Sequence, residues 1–342
     1  MIRFDSDYLE GCLPQILEAF EKSNLEQTPG YGEDPYCDKA RELVRAACGG
    51  SKELDIHFLV GGTQTNVAVI SSILRPYQGA LCAQSGHINV HETGAVEHSG
   101  HKCLALPSDD GKISAGQIDN LFEEHFADPS RVHTVQPGMV YISFPTEKGT
   151  IYSKAELESI SSVCRKWNVP LFIDGARLGY GLCSPACDLK LEDIAHLADI
   201  FYIGGTKQGA LFGECVVFKS SSLSKDFRYN IKQGGGMLAK GRLLGIQFAT
   251  LFTDGLYFKA AQHAIDLAFR LKEALVSKGY SFLADSPTNQ QFPILENRQI
   301  AQLRERFSFE DWQKTDDNHT AVRFCTSWAT RSEAVEDLIA SL

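Results

Sequence analysis

Between Leu54 and Phe218 the chain repeatedly sets a short apolar run against a helical pattern, and this alternation restricts its fold more than any other feature. The runs Leu54–Val60, Met139–Phe144, Val169–Ile173, Ile200–Ile203 and Cys215–Phe218 are rich in Val, Ile, Leu and Phe, as strands covered on both faces must be. Between two of them, Ser153 and Glu156 stand at capping-box spacing, and Leu157, Ile160, Cys164 and Trp167 fall on one face of the helix they open. Strands that alternate with helices in this way build a mostly parallel sheet with helices packed on it, the α/β class.

After Gln233-Gly-Gly-Gly236 the pattern changes. An amphipathic helix is expected from about Ala260 to Lys278, stopped by Gly279. Beyond it come the strand candidates Gln291–Leu295 and Ala321–Thr326 and a last helix opened by a Thr330/Glu333 capping box. The expected division is a large domain over 1–245, including an N-terminal arm, and a small C-terminal α+β domain over 246–342.

At 342 residues and 43% hydrophobic content the chain can bury a sizeable core. Its net charge of -10, with no Lys/Arg cluster, argues against nucleic acid as a partner. No apolar run reaches the ~18 residues a membrane helix needs, and acids stand near the N-terminus where a secretion signal would carry bases. A cytoplasmic chain with no membrane partner is expected. The ten cysteines are scattered and form no C-x-x-C pairs, which suits reduced core thiols. His91, His98 and His101 lack carboxylate or thiolate companions at regular spacing, so no metal is expected.

Three segments carry chemistry. In Phe58-Leu-Val-Gly-Gly-Thr-Gln-Thr-Asn66 a strand enters a helix through Gly62 and Thr63, and backbone N–H groups at such a helix start can hold a phosphate. Taken alone, a tight turn with a threonine cap is the better explanation of the segment. In Pro170-Leu-Phe-Ile-Asp-Gly-Ala-Arg177 a buried strand delivers Asp174 at its C-terminal end, where open α/β sheets place their ligands; capping of the next turn is the simpler role for it. In Asp199-Ile-Phe-Tyr-Ile-Gly-Gly-Thr-Lys-Gln-Gly-Ala210 a strand ends in Thr206 and Lys207 among small residues that leave room for a cofactor, and a lysine there can form a Schiff base. Most lysines are merely solvated charges. Together the segments supply a phosphate cradle, a carboxylate for a protonated pyridine nitrogen and a Schiff-base lysine, in that order from successive strand ends. Pyridoxal 5′-phosphate (PLP) asks for those three groups.

On these segments the chain resembles the fold type I PLP enzymes, and among them the threonine aldolase and β-eliminating lyase family, over nearly its whole length. Tyr31-Gly-Glu-Asp-Pro35 and Asp174-Gly-Ala-Arg-Leu178 are similar to stretches of that family. The resemblance implies a seven-stranded, mostly parallel sheet in the large domain, PLP on Lys207, and Asp174 at the pyridine nitrogen. It implies Arg177, Arg323 and Ser6 at the substrate carboxylate, and His87 stacked on the cofactor ring with a share in proton transfer. The implied reaction is retro-aldol cleavage of L-threonine or L-allo-threonine to glycine and acetaldehyde, in a homodimer or homotetramer.

Two positions depart from the family. Many relatives carry Thr-His-Asn where this chain reads Thr146-Glu-Lys148, so Glu147 stands where a histidine would meet the substrate hydroxyl, as the base or as the holder of a water. The family's Gly-Gly-Met-Arg-Gln is here Gly235-Gly-Met-Leu-Ala239, leaving Lys240 or Arg242 to replace an arginine on the phosphate; a helix-surface role for both is the plain alternative. Glu147 keeps open a β-eliminating lyase acting on another amino acid. A non-catalytic PLP-fold protein also stays open, whereas a nucleotide-binding module would show a G-x-G-x-x-G or G-x-x-x-x-G-K-[ST] loop, and neither occurs.

Overall fold

The computed structural model describes residues 1–342. Its frame is a seven-stranded sheet of β1 (Asp55–Leu59), β2 (Gln78–Ala83), β3 (Lys102–Leu106), β4 (Gln136–Ser143), β5 (Leu171–Asp174), β6 (Ile200–Gly204) and β7 (Glu214–Phe218). In space the order is β1-β7-β6-β5-β4-β2-β3. Only β7 runs against the others: it pairs antiparallel with both β1 and β6, and every remaining pair is parallel. The strands β2 and β3 were not among those expected from the sequence. Gln78-Gly-Ala-Leu-Cys-Ala83 and Lys102-Cys-Leu-Ala-Leu106 hold no β-branched or aromatic residue, so local preference is weak, and pairing of β2 to β4 and of β3 to β2 decides their conformation.

Alternate residues of the central strands serve opposite faces. Ile173, Phe201, Ile203 and Val217 enter one apolar cluster, while Phe172, Ile200, Tyr202 and Val216 enter another. The first face is covered by α1 (Pro35–Ala47) and the second by α2 (Gly62–Ile73). The helix His87–Val90 (α3) follows β2. The helix Lys154–Trp167 (α4) starts at the expected Ser153/Glu156 capping box, formed in both directions, and stops at Asn168 in the left-handed region. Its last residue, Trp167, stacks on Phe122 and Phe126 at 5.5 Å.

Two further helices, α5 (Arg242–Phe252) and α6 (Leu256–Ser277), join the two ends of the molecule. Leu244, Phe248, Leu251 and Tyr257 belong to the core of the large sheet, so its packing continues past residue 245. The second half of α6 turns to another core, where Leu267, Leu271 and Leu275 meet Phe4, Leu295, Phe324 and Val335. Truncating one of those leucines to alanine costs about 2–5 kcal/mol, so α6 ties the two cores together.

In the C-terminal unit His319–Cys325 pairs antiparallel with Ile294–Glu296, Glu310–Lys314 and Gln290–Gln291. The strand expected over Gln291–Leu295 is interrupted at Pro293, which lacks the N–H a ladder needs. The expected Thr330/Glu333 capping box does not form. Arg331 precedes the helix Ser332–Ser341 without a side-chain cap, and the Thr330 hydroxyl accepts the Ser327 N–H at 2.8 Å instead. At the other end of the chain, Ile2–Arg3 pairs parallel with Phe307–Ser308. The N-terminus is thereby anchored on the C-terminal unit, and Ser6 and Asp7 are carried from there, buried, toward the large sheet.

Candidate active site

The parallel strands end at one edge of the sheet, where ligands collect in open α/β folds. There β5 ends in Asp174, β6 leads to Thr206 and Lys207, β1 enters α2 through Gly61, β2 leads to His87, and β4 leads to Glu147. Because β7 is reversed, its first residue, Glu214, lies at the same edge, opposite Gly204 of β6 and Leu59 of β1.

Asp174 is the most constrained of these groups. Its Oδ2 accepts from the Tyr141 hydroxyl at 2.6 Å and Asn66 Nδ2 at 3.0 Å, and its Oδ1 from the Tyr202 hydroxyl and the Ala176 N–H at 3.0 Å. The Ala176 bond is the turn cap foreseen as the simpler role. Burial acts to raise its pKa, but nearby His87 and the two tyrosine hydroxyls outweigh it and hold the carboxyl below its usual range. An anion fixed this way suits a protonated pyridine nitrogen.

Asn66 also donates to Glu92 Oε1 at 2.7 Å, and the same oxygen meets His87 Nδ1 at 2.6 Å. Burial disfavours the imidazolium, yet Glu92 and Asp174 prevail and raise the His87 pKa. The His87 main-chain N–H donates to Glu147 Oε1 at 2.9 Å, and the Ser143 hydroxyl donates to the same atom at 2.6 Å. Glu147 Oε2 is buried without a partner, and burial raises the pKa of this carboxyl.

Lys207 Nζ makes no hydrogen bond or ion pair, while the main-chain oxygen of the same residue accepts the Tyr180 hydroxyl at 2.6 Å. Burial, and then the positive charge of Arg177, lower its pKa against the pull of Asp7, Asp174 and Glu214. Arg177 grips Asp7 through Nε and Nη2 at 2.7 and 2.9 Å, which leaves Nη1 uncommitted. Asn289 completes the Asp7 carboxylate at 3.0 Å. The Ser6 hydroxyl is buried with no partner. Arg323 is more heavily engaged: Nη1 reaches Gln290 at 3.1 Å, Nη2 reaches the Asp5 carbonyl at 2.8 Å and Glu310 at 2.7 Å, and Nε is buried unpaired.

At the start of α2 the cap residue Gly61 offers no side chain, so the first-turn N–H groups stay free. Gly62 is close to the Asp174 network, since a Cβ there would stand 3.2 Å from the Tyr202 hydroxyl, and Thr63 is exposed. Thr206 is turned inward, donating to Glu214 Oε1 at 2.9 Å and accepting the Gly213 N–H at 3.0 Å. Arg242, one of the two bases considered for a phosphate, is spent on the carbonyls of Asn24 and Glu26. Lys240 remains exposed beside the Tyr31 loop, where the Tyr31 N–H donates to the Ala239 carbonyl. Leu238, in place of the family's arginine, packs against the core.

Sequence reading did not single out Asp7, Asn66, Glu92, Tyr141, Tyr202 or Glu214. Tyr141 and Tyr202 sit in runs that look like plain core, and only pairing of β4, β5 and β6 brings their hydroxyls to one carboxylate. Asp7 had a signal, being next to Ser6, but its tie to Arg177 spans 170 residues.

The sequence profile of the beta-eliminating lyase family matches residues 4–297. A low specificity L-threonine aldolase of Pseudomonas sp. (strain NCIMB 10558) is 30% identical over an alignment covering 99% of this chain and 96% of the relative. The structure of Leishmania major threonine aldolase superposes with a TM-score of 0.96 at 42% identity, covering 99% of this chain and 98% of that one. The N-succinyldiaminopimelate aminotransferase of Mycobacterium tuberculosis, at 15% identity, shares the fold with a TM-score of 0.74 over 99% of this chain and 92% of that one.

Proposed function

The chain belongs to the β-eliminating lyase family, and from that membership we propose that it is a PLP-dependent aldehyde-lyase that cleaves L-threonine or L-allo-threonine to glycine and acetaldehyde. The observation that carries the reading is the pairing of an unpartnered Lys207 amine with an Asp174 carboxylate held by four donors at the same sheet edge. The residues present fit PLP: Lys207 would bond it, Asp174 would face its nitrogen, the free N–H groups of Gly62 and Thr63 would take its phosphate, and His87 would cover its ring.

Bound PLP supplies an electron sink for the pair released when the bond between Cα and Cβ breaks. The chain's own groups decide which bond that is. Arg177 Nη1 and the Ser6 hydroxyl are the free donors for a substrate carboxylate, and Asp7 fixes the guanidinium plane from behind. Arg323 joins them if its guanidinium turns from Glu310. Glu147, whose pKa burial raises, is the carboxyl suited to exchanging a proton with the β-hydroxyl, and its Oε2 carries no other bond. Glu92 fixes which nitrogen of His87 faces away from the carboxylate.

A homo-oligomer suits the exposed Lys240, which a neighbouring copy would need to complete a phosphate site. Ten free cysteines support a reducing, cytoplasmic setting, and no helix is long and apolar enough to cross a membrane. Borohydride reduction in the presence of PLP followed by peptide mass mapping tests the cofactor assignment. The label is expected on Lys207; a protein that takes up no PLP, or carries it elsewhere, refutes it.

A further inference from the structure

Glu214 is a buried acid, 4% exposed, that the reaction as described does not use. Its place follows from the topology. As the first residue of the reversed strand β7 it lies between the end of β6, which delivers Lys207, and the end of β1, which opens the cradle at Gly61. Both its oxygens are spent on the turn before the lysine: Oε2 accepts the Gly205 N–H at 3.1 Å and Oε1 the Thr206 hydroxyl at 2.9 Å. Thr206 in turn accepts the Gly213 N–H, which closes a loop of hydrogen bonds around the two residues preceding Lys207.

We propose that Glu214 is a positioning residue for Lys207, a buried carboxyl that clamps the turn carrying the lysine and provides the negative charge against which the free amine holds its proton. The proposal rests on the reading of Lys207 as the PLP lysine. Two neutral donors to one buried carboxyl explain its shape but not its acidity, since an amide or hydroxyl would serve a turn without bringing a charge into a dry site. The titratable groups whose charge bears on it, or on which its own charge bears, are Lys207, Asp174 on β5, Tyr202 on β6, Cys215 beside it and Tyr257 on α6. Lys207 is the cation among them. Burial raises the Glu214 pKa to about 8, the Thr206 bond and Lys207 opposing it, while Glu214 in turn acts to raise that of Lys207. Each therefore favours the charged state of the other.

The test uses cofactor-free full-length protein, so that it does not depend on turnover. Trace labelling with acetic anhydride across pH, with the Lys207 peptide quantified by mass spectrometry, gives the fraction of free amine in the native protein, Glu214→Gln and Glu214→Asp. In Glu214→Gln the lysine is expected to be about tenfold more reactive at pH 9, where the native carboxyl is ionised, because the lost charge lowers its pKa by about one unit. Glu214→Asp is expected to stay within about twofold of the native protein. A native-like profile in a folded Glu214→Gln overturns the proposal. If that variant does not fold, the infrared band of the protonated carboxyl is followed in unmutated protein, where acetylating Lys207 is expected to shift its loss to higher pH; an unmoved band overturns the proposal. Failure of the PLP reading is distinguishable, because a wild-type protein that develops no visible band with PLP but shows the lysine shift keeps this relation and loses the cofactor.

Discussion

Glu147 accepts the His87 main-chain N–H at 2.9 Å, so the carboxylate standing where relatives carry a histidine is bonded to the backbone of the residue expected to cover the cofactor. One oxygen positions, and the other is left to handle a proton. Replacing Glu147 by Gln retains an acceptor for His87 and removes the proton exchange. The expected result in steady-state kinetics is a fall in kcat of about 10²-fold with KM within about twofold. A raised KM with unchanged kcat would confine Glu147 to positioning.

The Asp7–Arg177 pair predicts a coupled loss. Asp7 has no side-chain exposure, and Asp7→Asn leaves a guanidinium without its counter-charge, at a cost of about 3 kcal/mol. Chemical denaturation is expected to register that loss, and the KM for the amino acid is expected to rise because Nη1 is no longer aimed. Stability reduced with KM unchanged would separate Arg177 from the substrate.

The strand ends that carry Asp174 and Lys207 were legible in the sequence because a buried parallel strand is a continuous apolar run, and a polar residue at its end stands out. The strands β2 and β3 were not, since Gly, Ala, Cys and Leu carry no strand signal and only pairing reveals them. In the site, Lys207 and Asp174 were named from local motifs, and Arg177, His87 and Glu147 from the resemblance to the family. What the sequence hid is what holds them: Tyr141 and Tyr202 on Asp174, Asp7 on Arg177, Glu214 on the lysine turn. Those ties join residues far apart in the chain, and a reversed β7 cannot be told from a parallel one by composition.

Glu214 also predicts how stability follows pH. Its folded pKa of about 8 lies above its ordinary 4.5, so between those values the folded protein binds a proton that the unfolded chain has released. Its contribution is full below pH 4.5 and is lost progressively as pH rises toward 8. Thermal unfolding of cofactor-free protein is expected to show a smaller decline across that window in Glu214→Gln than in the native protein; parallel curves would contradict it.

Gly175, directly after Asp174, packs so tightly that a Cβ would overlap the Tyr202 carbonyl oxygen. Gly175→Ala must push β5 from β6 and is expected to destabilise the fold by about 3 kcal/mol. Because the same shift would move Asp174 from the Tyr202 hydroxyl, retained PLP is expected to fall in step with the unfolding midpoint. Native-like cofactor retention, read by visible absorbance, would show that the strand spacing does not govern the site.

The central claim is that this site breaks the bond between Cα and Cβ of a β-hydroxy amino acid. Purified protein with PLP, incubated separately with L-threonine and L-allo-threonine, tests it directly when glycine, acetaldehyde, ammonia and the corresponding oxo acid are all quantified. Equal amounts of glycine and acetaldehyde, abolished in Lys207→Ala, are the predicted result. Ammonia with an oxo acid in their place, or no product from either substrate, would contradict it.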